Sequence, residues 1–298
     1  MFGTAKEKWF IRNKMKIVIG GSGYIGSNLC EHFSKKGELL AGTYYHNKKD
    51  GLEYFDLVNP DLRKLDVDLN RAGEVFICSA ISNLDKCKAD EKESYKVNVE
   101  GSKRLIEQCF NFGLFPIFLS SDNVFNGQRG NYSEEDETNP CAVYGTHKKI
   151  IEDFLLKSGE NFLIARLSKI FGLEQGDKTL LTSWLEKLRK NEEIVCATDQ
   201  KLSFTYINDL TDILDVMIEK NLRGCYNTAS PESFSRYELA NMLKEQLRVR
   251  TGRIIPCSIR DLNLLEVRTL DTSLNVGKLQ RDTEFQFTPI RSCIKKLR

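Results

Sequence analysis

A short glycine-rich segment between an apolar strand and a helix constrains the fold of this chain more than any other feature. The strand pattern at 16–20 runs into the segment GGSGYIG at 20–26, and Ile25, Leu29 and Phe33 then recur at helical spacing. The segment satisfies G-x-G-x-x-G from position 21 and G-x-x-G-x-x-G from position 20. Glycines in this context allow a sharp turn and bring backbone N–H groups and a helix N-terminus up to a pyrophosphate. A glycine-rich turn without a ligand is the alternative.

Apolar runs alternate with helical patterns through the first half of the chain. The pattern predicts buried strands at 16–20, 39–45, 53–57, 74–78, 115–120 and 161–167. It predicts helices at 24–36 and 91–112, each followed by a glycine. Strand and helix in alternation predict an α/β protein with a doubly wound parallel sheet, the Rossmann fold.

The second half has a looser pattern. Helices are predicted around 180–188 and 208–220, and a third begins at the capping box formed by Ser235 and Glu238. We therefore expect residues 1–165 to form the dinucleotide-binding domain with the catalytic residues. Residues 166–298 are expected to form a smaller α/β substrate-binding lobe, with an approximate boundary and interleaved segments.

Composition excludes several classes of protein. The 44 basic and 42 acidic residues leave a formal charge of +2, too small for a protein whose main partner is nucleic acid. The nine cysteines form no C-x-x-C pair, so free thiols in a reducing compartment are expected. No apolar run reaches about 18 residues, and the segment before Met15 lacks the apolar core of an export signal. These features favour a cytoplasmic protein without membrane contact, and the leading segment is either a tail or an extension before a native start at Met15.

The end of the second predicted strand bears on the choice of cofactor. An NAD site usually places a carboxylate there to accept a hydrogen bond from the ribose 2′-hydroxyl. This chain instead offers His46, Lys48 and Lys49, with no carboxylate before Asp50. Two lysines would attract a 2′-phosphate, so NADP(H) is the expected cofactor and NAD(H) is possible. The alternative interpretation is that both lysines lie on an exposed turn and bind no cofactor.

Tyr144 and Lys148 lie four residues apart in a predicted helix, so both side chains face the same way. An ammonium close to a phenol favours the phenolate, which suits proton transfer near neutral pH. Ser121 ends the fifth predicted strand, where parallel sheets open onto a ligand crevice. Taken alone, the pair is also compatible with a surface helix, and Ser121 with a turn cap. Cys141 is interpreted as a packing residue rather than a catalytic thiol.

The chain resembles the extended short-chain dehydrogenase/reductase family in the order of its motifs, which are the glycine loop, Ser121, Tyr144 and Lys148. Finer similarity is to its dTDP-4-dehydrorhamnose reductase branch and spans nearly the whole chain. The motifs that carry it are LSSDNVFNG at 119–127, ETNPCAVYGTHK at 137–148, RLSKIFG at 166–172, the DQ at 199–200 and SLNVGKLQ at 273–280.

The resemblance implies a role for each matching position. Tyr144 would protonate a carbonyl oxygen, Lys148 would hold the nicotinamide ribose, and Ser121 would hydrogen-bond the reacting oxygen. With the glycine loop and the second-strand end, the expected cofactor positions are Gly20, Gly23, Tyr24, Ile25, Gly26, His46, Lys48, Asp56, Leu57, Ser79, Ala80, Ser82, Asn98, Tyr144 and Lys148. The expected substrate positions are Ser121, Asp122, Ser168, Gln200 and Thr205.

The expected reaction is NADPH-dependent reduction of a nucleotide-linked 4-keto-6-deoxy sugar, for a surface polysaccharide, by a possible homodimer. Dehydratases resembling this fold have Asp-Glu where this chain has Asp122-Asn123, so dehydration is not expected. A sugar-nucleotide epimerase is one alternative. A regulatory subunit resembling that of methionine adenosyltransferase, which binds NADP without catalysis, is another.

Overall fold

The computed structural model describes residues 14–297, so the two interpretations of the leading segment fall, apart from Lys14, outside the described residues. Contacts divide the chain into two compact units. Among the described residues, the first comprises 14–120 and His147–Ala165, and the second comprises Ser121–Thr146 and 166–297. A unit boundary falls after Ala165, and the segment Ser121–Thr146 belongs to the second unit. The assignment of a dinucleotide-binding domain and a substrate-binding lobe to the two parts of the chain stays a prediction.

The strands of the first unit form a mostly parallel sheet. They are β1 (Met15–Ile19), β2 (Leu39–Tyr44), β3 (Glu53–Tyr54), β4 (Ala72–Ile77), β5 (Phe115–Ser121) and β6 (Leu163–Leu167), and the last residues of β5 and β6 belong to the second unit. Their order is β6-β5-β4-β1-β2-β3, with parallel pairing of β1 to both β2 and β4. The order reverses between β1 and β4, the point at which such sheets bind ligands. This topology confirms the predicted doubly wound sheet.

Helices follow the strands of the first unit. They are α1 (Tyr24–Lys35), α2 (Leu84–Ala89), α3 (Glu91–Tyr95), α4 (Ser102–Asn111) and α5 (Val143–Lys157), of which α5 begins in the second unit. A π-helical segment, Lys96–Gly101, interrupts the single helix predicted at 91–112. A Cβ on Gly101 would lie 2.0 Å from the carbonyl oxygen of Leu57, so the wider turn lets the backbone pass close to the loop after β3.

The third predicted strand is shorter than the apolar pattern suggested. It was expected at 53–57 but ends at Tyr54. The carboxylate of Asp56 accepts a hydrogen bond from the backbone N–H of Val58 at 2.8 Å. This local side-chain bond turns the backbone and competes with continued strand pairing.

The second unit is also α/β. Its elements are β7 (Lys169–Phe171), α6 (Leu180–Arg189), β8 (Glu193–Ala197), β9 (Lys201–Tyr206), α7 (Ile207–Glu219), β10 (Gly224–Asn227), β11 (Ser233–Ser235), α8 (Arg236–Gln246), β12 (Arg253–Cys257), α9 (Gly277–Thr283) and α10 (Ile290–Lys296). One small sheet has the order β11-β9-β7, and β8 pairs with β12 in parallel. The predicted capping box is present at the start of α8.

Two apolar clusters stabilise the second unit. The larger packs α6, α8 and α10 against β7, β8 and β9 through residues such as Trp184, Leu243 and Ile294. The smaller joins Phe125 and Tyr132, whose rings stack at 4.3 Å, to Leu274 and Val276. The motifs at 119–127 and 273–280 therefore meet in one cluster. Over the described part of the chain, every helix is too short or too polar to cross a membrane.

The capping box gives a test of the second unit's stability. In Ser235→Ala, the backbone N–H of Glu238 loses the Ser235 hydroxyl, which accepts its hydrogen bond at 3.1 Å. We expect a loss of about 1 kcal/mol in the free energy of unfolding, measured by urea denaturation. The matched control is Ser233→Ala, two residues earlier on β11. An equal loss in both variants would contradict a role for the cap.

Candidate active site

The glycine segment forms a tight turn after β1. Gly20 has a φ of +90°, and the N–H of Gly23 donates to its carbonyl oxygen at 3.0 Å. A Cβ on Gly20 would lie 2.7 Å from the backbone nitrogen of Ser79, and one on Gly26 would lie 2.2 Å from the Gly20 oxygen. Neither position has room for a side chain. The loops after β1 and β4 therefore meet at the reversal point of the sheet, and α1 starts directly against the turn.

The start of α1 suits an anion. Gly23 is its N-cap and is exposed, and within the described chain no side chain caps the first turn and no acidic residue lies in it. Backbone N–H groups at a helix start, together with the helix dipole, favour a phosphate. The predicted positions Tyr24, Ile25 and Gly26 belong to this first turn. The segment consequently fits the pyrophosphate of a dinucleotide.

The predicted cofactor positions after β2 and β3 differ in how accessible their side chains are to a ligand. His46 and Lys48 are exposed just beyond β2, where a ligand can reach them. The Asp56 carboxylate is used by the turn after β3, and Leu57 is buried with its carbonyl facing Gly101.

Asn98 shapes the loop after β4. It lies in the π-helical segment, is 3% exposed, and its Oδ1 accepts from the N–H of Ile81 at 2.8 Å. Its Nδ2 donates to the Ile81 carbonyl at 2.9 Å. The amide thus holds the loop that contains the predicted positions Ser79, Ala80 and Ser82. Asn98 thus positions this loop, and its own place beside the cofactor stays a prediction.

A buried hydrogen-bond network lies at the end of β5, within the second unit. The Ser121 hydroxyl donates to Oδ1 of Asp122 at 3.0 Å and accepts from the side-chain amide of Asn123 at 3.1 Å. Oδ2 of Asp122 accepts from the hydroxyls of Ser168 at 2.7 Å and Thr272 at 2.9 Å. Burial raises the pKa of Asp122, and the hydrogen bonds from Ser168, Thr272 and the others oppose that rise.

This network explains the residue at position 123. The Asn123 amide donates both to Ser121 and to Oδ1 of Asp122, the latter at 2.9 Å. A carboxylate at 123 could not donate and would repel Asp122. The sequence analysis missed Thr272, which lies 150 residues from Asp122 and carries no local signal.

Tyr144 lies at the start of α5, and close packing holds that start in place. A Cβ on the next residue, Gly145, would lie 2.1 Å from the carbonyl oxygen of Asn123. The N–H of Val143 donates to the buried carboxylate of Glu266 at 2.9 Å. Tyr144 is itself 9% exposed. Contact between Gly145 and Asn123 brings the segments that carry Tyr144 and Ser121 together in the second unit.

Lys148 lies one helical turn further along α5, in the first unit. Its Nζ donates to the carbonyl oxygen of Leu119 at 2.7 Å and lies 4.4 Å from the centroid of the Phe118 ring. Burial lowers the pKa of Lys148 to about 8. Its ammonium therefore loses its proton at a much lower pH than an ordinary lysine.

The remaining predicted substrate positions differ in whether they belong to the Asp122 network. Ser168 joins the Asp122 network. Gln200 instead accepts from Nε of Arg236 at 2.6 Å, and the buried Thr205 hydroxyl accepts from the N–H of Ser230 at 2.9 Å. Cys141 is exposed rather than packed, with its Sγ 3.8 Å from the Asn126 carbonyl.

Comparison with known proteins places the chain in a family. It is 22% identical over 293 residues to the methionine adenosyltransferase 2 subunit beta of Xenopus tropicalis, covering 96% of this chain and 87% of that protein. It is 25% identical over 297 residues to a dTDP-4-dehydrorhamnose reductase of Aggregatibacter actinomycetemcomitans, covering 95% and 97%. The dTDP-4-dehydrorhamnose reductase structure from Bacillus anthracis, in complex with NADP, shares the fold with a TM-score of 0.80 at 21% identity, covering 95% of this chain and 98% of that one. Residues 15–297 match the family model described as RmlD substrate binding domain, and the chain belongs to this family.

Proposed function

We propose that the protein is an NADPH-dependent reductase of the 4-keto group of a nucleotide-linked 4-keto-6-deoxy sugar. The family and the reductase relative support an NAD(P)-dependent oxidoreductase in general terms. The observation that carries the proposal is the arrangement on α5, where Tyr144 and the buried Lys148 lie one turn apart and Gly145 packs against the turn after Ser121.

The first unit supports a dinucleotide. The uncapped start of α1 would bind the pyrophosphate through backbone N–H groups, with Gly23 leaving space in front of them. His46 and Lys48, both exposed beyond β2, would favour the 2′-phosphate of NADP(H), with NAD(H) as a possible substitute. When bound, NADPH supplies the hydride. The protein's own task is then to orient the ketone and to deliver a proton to its oxygen.

Three side chains would perform that task. The Tyr144 phenol would donate its proton to the oxygen of the reduced carbonyl. The ammonium of Lys148 would favour the resulting phenolate and bind the ribose hydroxyls. Ser121 would turn its proton from Asp122 toward the substrate oxygen, while Asn123 continues to donate to Ser121. Ser168 and Asp122 would border the substrate at the same network.

A second candidate function has a specific observation in its favour. Several curated relatives are methionine adenosyltransferase 2 subunits beta, at 20% to 22% identity. The alternative is therefore an NADP-binding regulatory subunit of the same fold. A catalytic alternative is a sugar-nucleotide epimerase. Such an enzyme takes a hydride from the sugar and gives it back, so it would consume no NADPH.

Tyr144→Phe tests the proton donor. Turnover on a panel of nucleotide-linked keto sugars, followed by NADPH absorbance, should fall by roughly 10²-fold or more because the acid is removed. NADPH binding should stay nearly unchanged. Undiminished turnover would show that the phenol is not the acid.

The wild-type protein discriminates the candidate functions in the same assay. Conversion of the sugar without net NADPH consumption would indicate an epimerase. Absence of conversion, together with an enzyme that co-purifies with the protein, would indicate a regulatory subunit.

Gly23→Ala tests the pyrophosphate site. Gly23 has a φ of −76°, and an added Cβ would meet Gly20 only at an ordinary 3.4 Å, so the melting temperature should not change. The methyl group would occupy the space in front of α1, and NADPH affinity should fall by about tenfold or more. Gly26→Ala is the contrasting variant, because its Cβ has no room and should lower the melting temperature even without ligand. Full NADPH affinity in Gly23→Ala would place the dinucleotide elsewhere.

Replacing Lys48 and Lys49 with Ala tests cofactor preference. Both side chains are exposed, so folding should not suffer. Affinity for NADPH should fall by several-fold more than affinity for NADH, since only NADPH carries the extra phosphate. The dissociation constants can be measured by fluorescence titration. An equal loss for both dinucleotides would mean that these lysines do not contact the 2′-phosphate.

A further inference from the structure

A buried carboxylate on α5 has no part in the chemistry described above. Glu152 is 1% exposed and lies on α5, one turn after Lys148. The hydroxyl of Ser120, which is 3% exposed, donates to its Oε1 at 2.5 Å. A carboxylate in such a position carries a large desolvation cost unless a positive charge or several donors compensate it.

Two neighbouring residues of β5 hold two successive turns of α5. Leu119 accepts from Lys148 through its carbonyl oxygen, and Ser120 donates to Glu152 through its hydroxyl. Both bonds lie within the first unit. The ammonium and the carboxylate are thus fixed on one helix by the same strand, at the spacing at which opposite charges attract.

Within residues 14–297, the groups that act electrostatically on Lys148 or respond to it include four titratable side chains. They are Cys78 after β4, Cys87 on α2, His147 on α5 and Glu152. Burial raises the pKa of Cys78, so its thiol stays neutral where Lys148 titrates, and the Cys87 thiol donates to the Ile81 carbonyl at 3.1 Å. Burial lowers the pKa of His147, which is then neutral as well. Glu152 is therefore the group among these four that brings a negative charge.

We propose that Glu152, fixed by Ser120, is the positioning residue that keeps the Lys148 ammonium charged and oriented at physiological pH. The role of Lys148 in catalysis rests on the proposed function, whereas the electrostatic relation between the two side chains does not. Glu152 would act only through Lys148 and would touch neither substrate nor cofactor. Its charge opposes the effect of burial, which by itself favours the neutral amine.

The direct test is a titration of Lys148 in protein labelled with ¹⁵N-lysine, with its Nζ resonance assigned by comparison with Lys148→Met. Glu152→Gln keeps the shape and an acceptor for Ser120 but removes the charge. The Lys148 midpoint should fall by about one pH unit in Glu152→Gln relative to the native protein, because the charge that opposes the effect of burial is gone. Ser120→Ala should lower it less, because the carboxylate remains but is no longer fixed.

The matched control is Asp153→Asn, which removes the neighbouring carboxylate. Asp153 pairs with Lys149 at 2.6 Å on a more exposed part of α5, so its loss should leave the Lys148 midpoint unchanged. An unaltered midpoint in Glu152→Gln, or an equal fall in Asp153→Asn, would overturn the proposal. If Glu152→Gln does not fold, Ser120→Ala decides, and an unchanged midpoint there overturns it.

Measuring kcat/KM as a function of pH distinguishes the electrostatic role of Glu152 from the proposed reductase function. If the protein is the reductase, the alkaline limb of its kcat/KM profile should move to lower pH in Glu152→Gln by the same amount as the Lys148 midpoint. A shifted midpoint in a protein that turns over no keto sugar would support the electrostatic role of Glu152 and count against the reductase. A shifted midpoint with an unmoved alkaline limb in an active enzyme would overturn the link between Glu152 and catalysis.

Discussion

The packing of α5 on the end of β5 is the interaction on which the rest of the candidate site depends. Gly145 meets the Asn123 carbonyl with no room for a side chain, Lys148 bonds to Leu119, and Glu152 bonds to Ser120. Each contact fixes one turn of the helix against β5 or the residues that follow it. Tyr144 precedes Gly145 directly, so the contact between Gly145 and Asn123 holds the turn that carries it. The geometry of the candidate site therefore depends on the contact between helix and strand as well as on the side chains proposed to react.

Features with a local signal were predictable from the sequence. The glycine turn, the six parallel strands and the cap at Ser235 each follow from a few adjacent residues with a known backbone preference. The spacing of Tyr144 and Lys148, one turn apart on one helix, follows from the helical pattern, since both lie on α5. The position of Ser121 at a strand end follows from the apolar run before it.

Features that depend on distant contacts were not predictable. Thr272 reaches Asp122 across 150 positions, and no pattern near either residue indicates the pairing. Glu152 reads as an ordinary polar residue on an amphipathic helix, and only the sheet beside it shows that it is buried. The interruption of the helix at 91–112 arises because Asn98 and Gly101 serve two different loops, which helix propensity does not encode. Gln200 and Thr205 also make internal hydrogen bonds that no nearby pattern indicates, and their place in the substrate site stays a prediction.

The division of the chain has a consequence for how the protein can be dissected. Because Ser121–Thr146 belongs to the second unit while the residues on both sides belong to the first, the polypeptide passes from one unit to the other three times. No single cut yields either unit as a continuous fragment. A truncated protein that ends at Ala165 would keep Asp122 but lose Ser168 and Thr272, the two residues whose hydroxyls donate to its Oδ2. Fragment expression and domain exchange with relatives must therefore cut the chain at three points instead of one.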